Sequence, residues 1–277
     1  MRGPLVAALF FTLTPLLIFF QWVLRKLNAP GWGFVGVRYY SALCTALRMR
    51  VRVVGEPVRD RAVLFISNHV SWADILAIGS IAPIAYVSKS EIGNWPMVGT
   101  AAKSQRTIFV DRSRRQQTGD AIADIVDRLA NGTSVVLFAE GTSSDGNRVL
   151  PFRSALIGAV KEASARSEQG ILIQPMSICY TALNGITMGR QHRPIVAWYG
   201  DLDFMPHITE YIKRGAVDAV VTYGEPIKAD ASSDRKVMTR QLQSAVRHMT
   251  SQTLIGRYDP TKPARKTEAK SGTKAAS

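Results

Sequence analysis

The chain has 277 residues, 46% of them hydrophobic, two cysteines and a formal charge of +14. That is enough apolar sequence for one substantial core, and too few cysteines for a disulfide-stapled scaffold; Cys44 and Cys179 sit in apolar surroundings and imply a reducing compartment. The charge calls for an anionic partner, and basic residues spread along the chain with no zinc-finger or RNA-recognition signature weigh against nucleic acid and toward a lipid surface or a phosphorylated substrate.

Leu5 to Leu24 is an uncharged stretch of about 20 residues, rich in Leu and Phe, held between Arg2 and Arg25-Lys26. It matches the length of a bilayer core, and no small-x-small cleavage site marks it as a signal peptide. A second, amphipathic stretch follows from Trp32 to Leu47. With Pro15 inside the first stretch, two arrangements stay open: a helix that spans the bilayer, or half of a helical hairpin lying in the interface. Arg48, Arg50 and Arg52 come next, where an interfacial protein meets lipid headgroups. Residues 1–50 therefore read as a membrane-anchoring segment, 51–256 as the one main folded domain, and 257–277, rich in Lys, Pro, Thr, Ala and Ser, as a disordered basic tail.

Within 51–256, short apolar runs alternate with helical patterns. Val51–Val54, Ala62–Ser67, Ile84–Val87, Thr107–Val110, Ser134–Phe138 and Leu172–Ile178 are expected strands, with Ile195–Tyr199 and Ala216–Tyr223 after them. Ile122, Ile125, Val126 and Leu129 recur at helical spacing, so Gln116–Ala130 is an expected crossover helix. Further helices are expected from near Pro206 and from about Ser232 to Thr253. This rhythm gives an α/β domain with a mixed, largely parallel sheet flanked by helices.

The run Asn68-His69-Val70-Ser71-Trp72-Ala73-Asp74 lies where the second strand gives way to a helix. Ser71 with Asp74 three positions on resembles a capping box. On an unbroken helix His69 and Asp74 would diverge by about 140°, so the histidine belongs to the turn and the aspartate to the first helical turn. A base and the carboxylate that steers it would suit that place. Taken alone, the pair equally fits an ordinary turn residue and a helix cap.

Three more segments follow in a definite order: Phe109-Val110-Asp111-Arg112-Ser113-Arg114-Arg115, Phe138-Ala139-Glu140-Gly141-Thr142-Ser143-Ser144, and Ile173-Gln174-Pro175-Met176-Ser177. Arg112 follows a strand end, where open α/β sheets bind ligands, and its guanidinium suits a phosphate. Gly141 permits a backbone bend that brings N–H groups to a reacting centre. Together with the opening run, the order and spacing of these blocks resemble the glycerolipid acyltransferase family from about Val54 to Tyr180.

The resemblance implies that His69 takes the proton from the free hydroxyl of a lysolipid, which attacks the thioester of acyl carrier protein or coenzyme A, while Asp74 orients the imidazole. By the same resemblance Arg112 holds the acceptor, and Glu140, Gly141 and Thr142 belong to the shell around acceptor and transition state. Lys89 and Arg106 are further candidates for the anionic pocket. No metal or other cofactor is expected. The family places such a protein on the inner membrane with its catalytic domain facing the cytoplasm.

One departure bears on the acceptor. Members that use lysophosphatidic acid commonly carry arginine after Glu-Gly-Thr, and here that residue is Ser143. Arg148 or Arg153 could restore the charge, or the acceptor is a zwitterionic aminolipid such as lyso-ornithine lipid. With Arg112, Arg114 and Arg115 still present, 1-acylglycerol-3-phosphate stays the first expectation and the aminolipid the second; a lipid-binding protein without catalysis and a lipid hydrolase are the competing classes. Asp201, Asp203 and His207 match no metal loop and read as a turn leading into a helix, whose acidic side chains an ornithine amine would need.

Overall fold

A computed structural model of the chain describes residues 3–27, 29, 31–110, 115–154, 171–229 and 234–257. The expected tail and the loop bearing Arg112 lie outside the described residues.

The chain opens with helix α1 (Gly3–Lys26) packed along α2 (Trp32–Ala46). The buried residues of α1 are Val6, Thr14, Leu17 and Gln21, a spacing that keeps them on one stripe. Thr14 hydrogen-bonds the Tyr39 hydroxyl of α2 at 2.8 Å, so a polar group in the middle of an apolar helix is satisfied inside the hairpin. The rest of α1 presents Leu5, Phe11, Leu16, Phe19, Phe20 and Trp22 outward. Gly3–Leu24 is long and apolar enough to cross a membrane, and only 17% of its most apolar window is buried, which a soluble core helix would not show.

Among the described residues nine strands form one sheet: β1 (Met49–Val54), β2 (Leu64–Ser67), β3 (Ala85–Lys89), β4 (Ile108–Val110), β5 (Val135–Phe138), β6 (Ile171–Leu183), β7 (Ile186–Thr187), β8 (Val217–Tyr223) and β9 (Ile227–Ala229). Their order is β1-β8-β6-β2-β5-β3-β4, with β7 and β9 both paired to β6. The first half of β6 runs parallel to β2, and its second half runs antiparallel to β8. All other pairs on the main path are parallel.

Both faces of the sheet are covered, which is why its central strands read as unbroken apolar runs. Phe65, Val136, Phe138, Met176, Ile178 and Tyr180 face α3 (Ala73–Gly79) and the base of α2. Leu64, Ile66, Val135, Leu137 and Ile173 face α5 (Arg115–Ala130) and α7 (Arg235–Leu254) through Ile125, Leu242 and Val246. The hairpin is docked to this body: the ring of Tyr40 lies so close to Gly79 of α3 that an added Cβ would fall 2.4 Å from it. Two shorter helices among the described residues are α4 (Val98–Ser104) and α6 (Phe204–Arg214).

Two expectations need correction. Ile195–Tyr199 is not a strand: Pro194 opens a 3-10 turn, and the N–H groups of Ile195, Val196 and Ala197 bond back to the carbonyls of His192 and Arg193. A short apolar run is equally consistent with buried turns and buried strand, and Val196 and Ala197 are indeed fully buried. The capping box is only half formed. The Asp74 carboxylate does accept from the Ser71 N–H, but helix α3 starts after Trp72 and the buried Ser71 hydroxyl caps nothing.

Candidate active site

β2 ends at Ser67, and the next residues are locked from several sides. Asn68 presents its side-chain amide to the backbone of Ile178, donating to the carbonyl and accepting from the N–H, both at 2.9 Å, so the loop is stitched to β6 as if the strand continued. The carbonyl of His69 accepts from Ser144 N–H, and the carbonyl of Val70 accepts from Trp198 N–H, each at 2.9 Å.

His69 Nδ1 lies 2.7 Å from Asp74 Oδ2, and the imidazole is stacked on Phe138 with ring centroids 4.1 Å apart. Asp74 is fully buried, and its carboxylate is committed to four partners: the His69 ring, the N–H groups of Val70 and Ser71, and the hydroxyl of Tyr180 at 2.7 Å. A carboxylate with that many partners is held in place. Burial and the neighbouring Asp74 charge push the Tyr180 hydroxyl well above its ordinary pKa, so it remains a donor. Since the carboxylate only accepts, Nδ1 carries the proton and Nε2 is left with its lone pair free. His69 lines a cavity of about 1800 Å³.

That cavity is walled by α1, α2 and α6, together with Trp72, Phe138, Trp95 and Lys89, and its lining is largely apolar. Gly141, Thr142 and Ser143 form its edge near the histidine. Gly141 adopts φ +72°, and a Cβ there would come within 2.6 Å of Arg153 Nε, so glycine is required on both counts. The N–H groups of Thr142 and Ser143 have no protein acceptor among the described residues. Glu140 faces the other way. Buried, it accepts from Leu150 N–H at 3.0 Å through Oε1, while Oε2 has no hydrogen-bond partner among the described residues. Burial raises its pKa to about 8, against the pull of the Leu150 and His69 N–H groups, so at pH 7 it is mostly protonated.

Residues 50–179 match the protein family described as Acyltransferase. The lyso-ornithine lipid O-acyltransferase of Brucella abortus is 40% identical over 261 residues, covering 92% of this chain and 96% of that protein. The chain belongs to the acyltransferase family. The lyso-ornithine lipid O-acyltransferase of Rhizobium meliloti is also 40% identical, over 92% of this chain and 86% of that protein. The 1-acyl-sn-glycerol-3-phosphate acyltransferase of Neisseria gonorrhoeae is 33% identical over 115 residues, covering 41% of this chain and 45% of that protein. Among solved structures, the 1-acyl-sn-glycerophosphate acyltransferase PlsC of Thermotoga maritima shares the fold at a TM-score of 0.65 and 19% identity, over 94% of this chain and 100% of that one.

In this acyltransferase the sequence-expected residues divide into groups. His69, Lys89, Gly141 and Thr142 meet in one cavity, with Asp74 directly behind the histidine. Glu140 does not line it; it anchors the 140–150 loop. Arg106 turns to Thr133, 2.7 Å from its hydroxyl, and neither Arg148 nor Arg153 reaches the cavity. Ser143, at the position of the missing arginine, donates its hydroxyl to the carbonyl of Trp198 and so ties the glycine turn to the segment entering α6. Tyr180 and Asn68 escaped the sequence reading. Tyr180 had a signal: it shares strand parity with Met176 and Ile178, and a buried tyrosine hydroxyl on an apolar face requires an acceptor.

Proposed function

We propose that the protein transfers a fatty acyl group from a thioester of acyl carrier protein or coenzyme A to the free hydroxyl of lyso-ornithine lipid. The observation that carries the reaction type is the His69–Asp74–Tyr180 chain facing a large apolar cavity. His69 Nε2 accepts the hydroxyl proton as the oxygen attacks the thioester carbonyl. Asp74 stabilises the imidazolium that forms, and the unclaimed N–H groups of Thr142 and Ser143 suit the developing oxyanion. Collapse of the tetrahedral species breaks the C–S bond, and the imidazolium returns its proton to the thiolate. The products are a diacylated lipid and a free thiol.

Two facts favour the aminolipid over 1-acylglycerol-3-phosphate. Relatives alike along nearly the whole chain carry the lyso-ornithine name, whereas likeness to the glycerophosphate enzyme of Neisseria covers 41% of this chain. Ser143 also spends its hydroxyl on a backbone carbonyl and offers no positive charge to a phosphate. On these grounds the reading proposed here puts the second expectation from sequence ahead of the first.

The outward apolar face of α1 would sit in the lipid and bring the cavity to the membrane surface, on the cytoplasmic side of the inner membrane. The purified protein, given a labelled acyl thioester with lyso-ornithine lipid and lysophosphatidic acid side by side, should acylate the aminolipid faster. Transfer confined to lysophosphatidic acid would overturn the acceptor, and loss of label as free fatty acid without any acceptor would overturn the reaction.

A further inference from the structure

We infer that Asp203 and Lys89 form a two-point reader for a zwitterionic head group, Asp203 taking a lipid ammonium and Lys89 a lipid carboxylate. This deepens the aminolipid reading above and rests on it. An ornithine head group joined to its fatty acid through the α-amide keeps those two charges, one at each end of a short side chain.

Asp203 is the single carboxylate among the described residues lining the cavity. It stands at the cap position of α6 yet makes no capping hydrogen bond with its side chain. Part of the reason is local: the third residue of the helix is Pro206, which has no N–H to offer a cap. The carboxylate has no ion pair among the described residues and is free to meet a ligand.

The position of Asp203 is fixed from behind. Phe204, the next residue, packs its ring among Trp72, Trp95 and Trp198 at centroid distances of 5.7, 5.2 and 5.8 Å. Trp72 belongs to the His69–Asp74 run, so the start of α6 is keyed to the catalytic turn. Trp95 closes the 3-10 turn (Ser90–Asn94) that follows Lys89 at the end of β3. The Trp95–Phe204 contact therefore brings the segments that carry Lys89 and Asp203 together beside one cavity. Lys89 likewise has no ion pair among the described residues.

Charge discrimination follows from the same residues. A phosphate dianion drawn to Lys89 would share the cavity with an uncompensated aspartate, whereas a zwitterion satisfies both. Serine at position 143 supplies no cation to compete with the lipid for Asp203. The other cations on the lining, Lys213 and Arg214, lie at the far end of α6, about 15 Å along the axis, and Arg214 is paired with Glu210 at 2.6 Å.

The test is a cycle between side chain and substrate. Full-length wild type, Asp203→Asn and Lys89→Met are each given lyso-ornithine lipid, its form with the side-chain amine acetylated, and its methyl ester, and kcat/KM is measured. Wild type should prefer the unblocked lipid over each blocked form by about tenfold or more, the size of one charge-assisted contact. In Asp203→Asn the preference for free amine over acetylated amine should collapse to within about twofold while the preference for acid over ester persists; Lys89→Met should do the reverse. Each ratio is internal to one enzyme, so a partly folded variant does not disturb it. Full retention of both preferences in both variants, in an enzyme that acylates lyso-ornithine lipid, would overturn this inference and leave the proposed function standing. A wild type that acylates lysophosphatidic acid and not lyso-ornithine lipid would overturn both.

Discussion

Asp74 carries more of the site than His69 does, because one buried carboxylate fixes the imidazole, two backbone N–H groups and the Tyr180 hydroxyl. Asp74→Asn should lower kcat by at least about 10²-fold, since an amide that turns its NH2 toward the ring holds the wrong tautomer. Tyr180→Phe should cost about 1–2 kcal/mol of stability, read from denaturation curves, because it leaves one oxygen of the buried Asp74 carboxylate without its donor. Glu140 offers a pH-dependence. Its folded pKa, raised by burial to about 8, exceeds the unfolded value, so its contribution to stability is complete below about pH 4.5 and is lost as pH rises through 8. Glu140→Gln should remove that loss and gain up to a few kcal/mol over wild type above pH 8, read from denaturation curves at pH 5 and pH 9. No gain at pH 9 would mean the carboxyl is not neutral at pH 7.

At the scale of elements, α1 has two faces with separate duties. The stripe of Val6, Thr14, Leu17 and Gln21 belongs to the hairpin, and the outward Phe11, Phe19 and Phe20 each keep more than half of their surface exposed. Replacing Phe11, Phe19 and Phe20 with serine should weaken vesicle partitioning by at least about 10²-fold while the Thr14–Tyr39 bond keeps the hairpin folded; equal partitioning in a flotation assay would refute it. Most elements were legible because the core strands are buried on both faces and α5 shows a clean apolar stripe. Ile195–Tyr199 was not, since an apolar run of five does not distinguish strand from buried turns. The histidine and its aspartate could be read from spacing plus the order of the blocks, but Asn68 and Tyr180 act through partners 110 and 106 residues away, which no local pattern records. Ser143 drew notice for the charge it lacks. What it does, tying Trp198 to the glycine turn, depends on a tertiary contact across 55 residues.

The whole molecule combines a net charge of +14 with an apolar hairpin. Binding to vesicles with anionic lipid should therefore fall markedly between about 0.05 and 0.5 M salt, whereas residual binding to neutral vesicles should change little; co-sedimentation at both salts separates the electrostatic from the apolar share. The position of β2 has a temporal meaning as well. Both strands that flank it, β5 and β6, are encoded later, and so are the residues that clasp its loop, Ser144, Ile178 and Trp198. A ribosome that has just released the hairpin holds His69 and Asp74 with none of those clasps yet made. On the function proposed above, α1 is thus available to a bilayer well before the turn that carries His69 and Asp74 is set, and activity would first arise where the lipid substrates already are.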